Sequence, residues 1–413
     1  MDTARADALA ARDRLGSRGW ISPRNESFRH MTPPGAEVWL GDAAESPPLG
    51  CEASPLAGAG WTLHPVGDTP QSGVHARWLD ACDPAQRAEL FAGLPLPGEE
   101  DAAPFAWAHR VLCRQGLRLQ VGSACGADTG RTVWLHLRHQ PRTSVEAPML
   151  VVDVHEGTRC VLIETHEHEP AQCDHRLAQN LQIHLRVRQG ATLQHLRVTA
   201  PDAADQIAHI VHARVDQDAH YAQALVASGS QYHLQRTVLD LQGSRAHAHI
   251  GGVLLAHGSA LEQQVQTAHN AARTHSTVEA LVLASGNAHT VVNAHTVIAP
   301  GADEAAVRQR LSGIPMEGHP RLVLRPHLEI HHDNVQAAHG ATWGALPEDA
   351  LFYARQRGLD EASARALIIE GMATALLERC LGDPDLLATL MQDGLLVRAI
   401  ARHLAPSKET RHG

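Results

Sequence analysis

Hydrophobic and polar residues alternate with a period of two from about residue 117 onward, a pattern typical of strands with one buried face. In the run 181–187, Leu, Ile, Leu and Val alternate with Gln, His and Arg, and Gly190 then turns the chain into the next run. Glycine or aspartate turns separate further strand-like runs at 193–198, 208–215, 232–241, 248–255, 277–283 and 289–298.

The turns recur at a regular spacing. Gly243 and Gly258 are 15 residues apart, and so are Gly286 and Gly301. A repeat of short strands and turns is the signature of a solenoid. No long helical segment intervenes, which disfavours a doubly wound α/β sheet, and the strands continue beyond the eight of a jelly roll. The pattern therefore predicts a mainly β protein with a β-helix core.

The regions on either side of this core have a different character. Residues 1–115 are rich in proline and glycine and partly helical, and after residue 345 the hydrophobic period changes to 3.6. We therefore predict an N-terminal mixed helical region over 1–115, a β-helix core over 116–344 and a C-terminal helical domain over 345–413. Capping and stop signals predict helices at 2–15, 84–91, 104–112, 347–357, 360–382 and from Asp383 onward.

Composition narrows the class of protein. The 413 residues are 44% hydrophobic and 19% charged, as in globular domains, and a net charge of −10 disfavours a nucleic-acid or anionic-membrane binder. No run approaches the roughly 18 apolar residues of a membrane span, and the first residues do not resemble a signal peptide. We expect a cytoplasmic protein with no nucleic-acid or membrane partner. Disulfide frameworks and zinc ribbons are disfavoured because no CxxC pair occurs among Cys51, Cys82, Cys113, Cys125, Cys160, Cys173 and Cys380.

Familiar catalytic and nucleotide-binding signatures are missing. The chain contains no P-loop and no G-x-S-x-G, H-E-x-x-H or G-x-G-x-x-G motif. Aromatic residues make up only 3% of the chain, which disfavours a carbohydrate cleft. A β-helix enzyme acting on polysaccharide would need an acidic cluster and an aromatic-lined groove, so composition argues against this alternative.

Histidine is unusually abundant, with 30 residues in the chain, of which 22 lie between residues 155 and 339. His166 and His168 share one face of a predicted strand, as two metal ligands would, and His247 and His249 repeat that spacing. Solvated, histidine-rich strand ends explain the same pattern. A histidine-rich metal-binding protein is a further alternative, and it predicts many tight metal sites on the isolated chain.

The segment 328–358 carries the most specific motif of the chain, LEIHHDNVQAAHGATWGALPEDALFYARQRG. Its Leu-Glu-Ile, His-Gly-Ala-Thr, Ala-Leu-Phe-Tyr and Arg-Gly elements are similar to the C-terminal hallmark of the SufB/SufD family of iron–sulfur cluster assembly proteins, on the SufD side. The stretch 295–302 resembles, more weakly, the family's penultimate strand and its Pro-Gly-Ala turn. The resemblance implies a right-handed parallel β-helix between an N-terminal helical region and a C-terminal helical domain.

The resemblance also implies where a cluster would be handled. In the family, the histidine that matches His339 faces a cysteine of the SufB partner, and imidazole is able to ligate iron. The family usually has a cysteine where this chain has Ala337, so a thiolate ligand is missing. One imidazole cannot hold a cluster, so we expect no cofactor bound stably by this chain alone and a nascent cluster only in a complex. By spacing alone, His339 would instead fix a turn into Gly340 through a hydrogen bond.

The partners implied by the family are a SufB-like subunit and a SufC-like ABC-type ATPase, and this chain would be a non-catalytic scaffold subunit. A homodimer in isolation is also open. The ATPase would bind the C-terminal helices, which carry more apolar side chains than three helices bury among themselves. The expected anchors are Leu351, Phe352, Tyr353, Ile368, Met372 and Leu376.

Overall fold

The computed structural model describes residues 3–41, 57–58, 60–66, 73–122, 132–141, 143–167, 176–382, 386 and 394–404. It is mainly β, with 48% strand and 22% helix, and forms a parallel β-solenoid of about seven turns flanked by N- and C-terminal helices. The predicted fold class is therefore confirmed. Some sequence predictions lie outside the described residues: those on Cys51, Cys125, His168, Cys173 and the helix start at Asp383.

The N-terminal region combines helices with strands that extend the solenoid. The side chain of Asp83 accepts hydrogen bonds from the backbone of Ala85 and Gln86, so it caps the helix predicted there. Three strands in this region did not appear in the sequence pattern. The elements are α1 Thr3–Arg18, α2 Ala36–Leu40, β1 Ala57–Gly58, β2 Trp61–Pro65, β3 Val74–Asp80, α3 Pro84–Leu90 and α4 Ala103–Leu112.

The solenoid consists of two sheets that take successive strands in turn. Sheet A has the order β1-β2-β5-β8-β10-β12-β14-β16-β18-β20, and sheet B runs β19-β17-β15-β13-β11-β9-β7-β4-β3. Its later strands pair in parallel. The strands are β4 Gln115–Val121, β5 Val133–His139, β6 Val145–Glu146, β7 Met149–Val154, β8 Arg159–Glu167, β9 Ala178–Val187, β10 Thr192–Ala200, β11 Gln206–Val215, β12 His220–Ser228, β13 Tyr232–Leu241, β14 His247–His257, β15 Ala260–His269, β16 His275–Gly286, β17 His289–Ile298, β18 Ala305–Gly318, β19 Arg321–Ile330 and β20 Val335–Trp343.

The core lies between the two sheets, where every second residue of each strand points inward. Leu193, Tyr221 and Ala248 stack in register on neighbouring strands of sheet A and are all buried. The predicted turn glycines Gly258 and Gly286 have φ angles of 57° and 66°, a left-handed conformation that glycine adopts without steric cost. The repeat seen in the sequence is therefore the coil of the solenoid.

The C-terminal helices cover the outer face of sheet A. The side chain of Asp360 accepts a hydrogen bond from the backbone of Ser363, and Gly382 ends the same helix with a φ of 65°, as the sequence predicts. Apolar residues of this helix pack on outward-facing Val226, Val253 and other residues of the sheet. No helix among the described residues is long and apolar enough to cross a membrane. The elements are α5 Glu348–Gln356, α6 Glu361–Leu381 and α7 Leu395–Leu404.

Candidate functional site

The solenoid has an open end at its last coil, formed by β19 of sheet B and β20 of sheet A. Among the described strands, each of these pairs on one side only, with β17 and β18 respectively. The inward-facing side chains of this coil are therefore not covered by a further coil. An exposed strand edge next to exposed inward-facing side chains is a surface to which another strand-rich protein can add.

His339 lies in the middle of β20, which contradicts the prediction that it fixes a turn. Its strand partner is Gln309, and two residues further along Ala341 pairs with Leu311 of the buried interior. Because side chains alternate along a strand, His339 faces the same side as Ala341, toward the solenoid interior. The imidazole is nevertheless exposed, because β20 belongs to the last coil. It is thus available to a partner at the open end.

Ala337 and Trp343 lie on the same face of β20 as His339. A cysteine at 337 would lie one inward-facing position from the imidazole, whereas Ala337 offers no thiolate on this face. The rest of the open end is apolar: Trp343 is 58% exposed and Ile330, which pairs with buried Ile298 on β17, is 45% exposed. The open end thus offers one imidazole in an apolar surface.

The turn that leads into β20 is held by Asp303. Its carboxylate accepts hydrogen bonds from Asn334 Nδ2 at 2.7 Å and from His332 Nε2 at 3.4 Å. The backbone N–H of Glu304, which has a φ of 56°, donates to the carbonyl of Asn334 at 2.8 Å. Residues 303–304 therefore fix the start of the strand that carries His339.

The expected partner anchors differ in their exposure. Phe352 and Tyr353 of α5 are exposed by 66% and 58%, whereas Leu376 of α6 is buried against the solenoid and is not available to a partner. Leu351, Ile368 and Met372 are partly buried and pack on the same cluster. The sequence pattern missed Leu367, which is 55% exposed on α6. Phe352, Tyr353 and Leu367 are thus the most exposed large apolar side chains among the described residues of this domain, ahead of Val397 and Leu359.

The histidine pairs singled out in the sequence do not form metal centres in the described residues. His166 is buried inside the solenoid and hydrogen-bonds to Glu164, and His247 stacks on the rings of His220 and His275. His249 lies 3.5 Å from the carboxylate of Glu279. In the described part of the chain, no group of three or more His, Cys, Asp or Glu side chains is arranged to hold a metal ion.

A charged network inside the early coils was not predicted at all. Glu164 is completely buried and accepts hydrogen bonds from His195 Nε2 at 2.8 Å and from Arg197 Nη2 at 3.1 Å, besides the one from His166. Arg197 also donates to Gln235 Oε1 at 2.9 Å. Inward-facing Glu and Arg break the hydrophobic alternation on which the strand prediction rests, so only the pairing of the strands reveals this network.

Electrostatic interactions within this network keep the Glu164 carboxylate ionised. Burial alone would raise the pKa of the Glu164 carboxyl, but the Arg197 guanidinium and the hydrogen bonds from the two histidines hold it well below its usual range. Burial lowers the pKa of His166 to about 4, against the raising effect of Glu164. An ion pair of Glu164 and Arg197 with neutral imidazoles is thus the state at neutral pH, and it is a structural element of the solenoid rather than part of the open end.

The fold and the open end define a class: a parallel β-solenoid with a helical cap on one sheet and a last coil left open for association. A family model described as "SUF system FeS cluster assembly, SufBD core domain" matches residues 137–372, which is more than half of the chain. The matched range includes most of the solenoid, His339 and most of α6. The chain belongs to the SufBD family of iron–sulfur cluster assembly proteins.

Curated relatives agree with this assignment. The chain is 36% identical over 84 residues to an iron–sulfur cluster assembly SufBD family protein of Synechocystis, covering 20% of this chain and 18% of that protein. It is 35% identical over 78 residues to the iron–sulfur cluster assembly protein SufD of Escherichia coli, covering 19% and 16%. A SufBD family protein of Mycobacterium tuberculosis is 29% identical over 188 residues, covering 41% and 46%. Each match spans less than half of the relative's length.

Proposed function

We propose that this chain is a SufD-like, non-catalytic subunit of an iron–sulfur cluster assembly complex, which pairs with a SufB-like subunit through its open end. The observation that carries the proposal is the placement of His339 on the exposed inward face of β20. The apolar side chains of Trp343 and Ile330 beside it lose contact with water when a second strand-rich surface adds to the coil. Family membership supports the role in cluster assembly.

The cluster in this proposal is cargo of the complex. His339 supplies one imidazole, and the partner supplies the remaining ligands, because Ala337 offers no thiolate. This chain alone therefore holds no stable cluster and carries no catalytic residue. In the absence of the partner, the same open end supports a homodimer.

The second partner in the proposal is a SufC-like ABC-type ATPase that binds the C-terminal helices. Phe352 and Tyr353 of α5 and Leu367 of α6 are exposed apolar side chains that do not pack on the cluster between these helices and the solenoid. Large apolar side chains of this kind are the usual anchors of protein interfaces. Nucleotide-driven movement of the partner would then act on helices that pack directly on sheet A.

Co-purification with each partner tests the proposal. We expect Trp343→Glu to abolish co-purification with a co-expressed SufB-like subunit and to leave binding of a SufC-like ATPase intact, and Phe352→Glu to show the opposite pattern. Leu9→Glu is the matched control, since Leu9 is also an exposed apolar residue, 46% exposed, but lies on α1. Retention of both partners by both variants, with a wild-type melting temperature, would place the interfaces elsewhere and contradict the proposal.

A further inference from the structure

A cavity of about 360 Å³ lies on the outer face of sheet B, away from the open end and from the C-terminal helices. We call it the lateral cavity. Its floor is the sheet, and its walls are the 91–98 segment and helix α4. The volume lies within the range of pockets that hold small molecules. Its role is independent of the proposed function.

The floor of the lateral cavity is built from two rows of outward-facing residues across β9, β11, β13 and β15. Strand register places Gln182, Ile210, Arg236 and Gln264 in one row, of which Gln182 and Arg236 line the cavity. The second row, two residues further along each strand, contains His184, His212, Val238 and Gln266. Polar groups thus lie side by side on a rigid sheet, while the loop above contributes apolar walls such as Leu94 and Leu96.

Arg236 is the charged group of this floor, and it is 95% buried. Its guanidinium donates to the amide oxygens of Gln264 and, at 2.8 Å, Gln266. No ion pair joins it to a carboxylate among the residues that the structure describes. A buried charge without a counter-ion is costly, and a guanidinium has five N–H donors, of which two amide oxygens use only part.

Glu262, which lies on β15 near Arg236, does not compensate for this charge. Burial raises the pKa of the Glu262 carboxyl to about 8, so Glu262 is protonated at neutral pH. Arg110, which also lines the cavity, is already paired with Asp7 at 2.9 Å. The carboxylates of Glu100, at the exposed rim, and of Asp101 attract the Arg236 charge from a distance, but neither forms an ion pair with it, and Asp101 accepts hydrogen bonds from Asn25 and Ser27. The cavity floor therefore keeps a guanidinium that makes no direct ion pair with a described carboxylate.

Two imidazoles extend the polar part of the floor. The rings of His184 and His212 stack with a centroid distance of 5.0 Å and an interplanar angle of 10°. Burial lowers the pKa of both, to about 4 for His212, and the positive charge of Arg236 adds to the effect on His212. Neutral imidazoles remain hydrogen-bond donors, so they complement a ligand that accepts hydrogen bonds.

We propose that the lateral cavity binds a small anion, with a carboxylate or phosphate group on Arg236 and a compact apolar body against the 91–98 segment. The planar guanidinium fork matches both head groups. Stacked His184 and His212 donate to the head group or to a polar substituent next to it. Leu94, Leu96 and Val238 enclose the apolar part.

Calorimetric titration of the full chain tests this with three probes: phenyl phosphate, benzoate and the neutral benzyl alcohol. We expect saturable binding of at least one anion and much weaker binding of benzyl alcohol, and the anion that binds identifies the head group. Arg236→Gln should weaken that binding about tenfold or more. The matched control is Arg186→Gln. Arg186 lies on the same face of β9 as Gln182 and His184, but it is exposed and pairs with Asp216 outside the cavity.

A second pair of variants decides the matter should Arg236→Gln fail to fold. Leu96 is an exposed rim residue, 67% exposed, so both Leu96→Glu and Leu96→Gln should keep the wild-type melting temperature. The two differ only in charge, and the added carboxylate should weaken anion binding a few-fold relative to glutamine. Three outcomes would each overturn the proposal. They are equal anion affinities of the two Leu96 variants, equal binding of benzyl alcohol and the anions by the wild-type chain, and no saturation by either anion.

Discussion

At the scale of the residue, the side chain of His339 takes no part in the interactions that stabilise the fold. Among the described residues its side chain makes no hydrogen bond or ion pair, and it lies exposed on β20. The imidazole is therefore free of other described interactions and accessible for the ligand role proposed above.

Substitution of His339 separates the ligand role from a structural role. We expect His339→Ala to change the free energy of unfolding by less than about 0.5 kcal/mol, because no described contact is lost. In the complex with a SufB-like subunit, the same variant should lower cluster formation, measured by the visible absorbance of the reconstituted cluster. His339→Cys should recover part of it, since thiolate is the preferred ligand of such clusters.

The control for this prediction lies at the same end of the solenoid. His331 is also exposed and hydrogen-bonds to Glu329 at 2.7 Å, but it lies beyond β19 and outside β20. His331→Ala should leave cluster formation at the wild-type level. Wild-type cluster formation by His339→Ala, in an intact complex, would show that the imidazole is not a ligand.

Sequence reasoning placed His339 within the β-helix core over 116–344 but predicted no strand around it, and the alternative of a turn at this residue is wrong. The inward positions between Val335 and Trp343 hold only Ala337, His339 and Ala341, so large apolar residues do not mark a period of two along this strand. No further coil packs on these three positions, so they need no large apolar side chain. The family motif identified the residue, whereas its orientation followed only from pairing with β18.

At the scale of the element, the packing of α6 on the solenoid depends on one glycine. A Cβ atom on Gly251 of β14 would lie 2.9 Å from both Cys380 Cβ and Leu376 Cδ2. The close approach lets the Cys380 thiol donate to the carbonyl oxygen of Gln223 at 3.2 Å. The helix that is proposed to receive the ATPase is thereby held directly on sheet A.

Alanine at this position tests that packing. Gly251→Ala should destabilise the chain by about 1–3 kcal/mol, because the helix must move away from the sheet. Gly371→Ala is the control on the same helix: nothing lies within 4 Å of a Cβ there, so alanine should stabilise α6 by roughly 0.5–1 kcal/mol. Urea unfolding measures both changes. A neutral effect of Gly251→Ala would mean that α6 does not approach the sheet this closely.

Helices were easier to predict than strands, because contacts within the helix itself mark its two ends. Asp360 and Gly382 mark the two ends of α6 through contacts with their own helix. By contrast, β15 was missed because its inward-facing residues include Gln263 and Thr267, so that Ala260–His269 does not alternate. These polar side chains are buried by neighbouring coils, and that information is not present in the strand itself.

At the scale of the whole molecule, the abundance of histidine follows in part from the repeat. His184 and His212 are one coil apart, as are His220, His247 and His275, and equivalent positions of neighbouring coils stack ring on ring. Ring centroids in the longer stack are 4.5–4.6 Å apart. Some other histidines, such as His166 and His233 in the solenoid and His109 on α4, are buried and form hydrogen bonds.

These buried imidazoles make the stability of the whole chain depend on pH. Burial lowers the pKa of His109 to about 3, and that of His166 and His233 to about 4. In the unfolded chain these groups titrate near 6.5, so between pH 6.5 and about 4 the unfolded chain binds protons that the folded chain does not. The free energy of unfolding must therefore fall as the pH falls through this window, by roughly 1.4 kcal/mol per pH unit for each histidine.

One buried acid acts in the opposite direction. The pKa of Glu262 is raised by burial to about 8, from 4.5 in the unfolded chain, so the folded chain holds a proton that the unfolded chain loses as the pH rises from 4.5 to 8. Glu262 therefore lowers stability toward pH 8 and offsets about one histidine below pH 6.5. Glu262→Gln should remove this effect and leave the acid loss of stability steeper than in the wild-type chain.

We therefore expect urea unfolding, followed by circular dichroism, to show a lower free energy of unfolding at pH 5 than at pH 6.5. His109→Gln provides the sharpest control, because His109 is buried and its Nε2–H donates to the carbonyl of Pro148 at 2.9 Å, a bond that the glutamine amide can replace. Since the slope of stability against pH counts the protons that differ between the folded and unfolded chain, this variant should lower the slope between pH 5 and 6 by nearly one proton. An unchanged slope in the His109→Gln variant would mean that His109 is protonated in the folded chain. If the wild-type chain is equally stable at pH 5 and pH 6.5, buried neutral histidines do not determine its net stability.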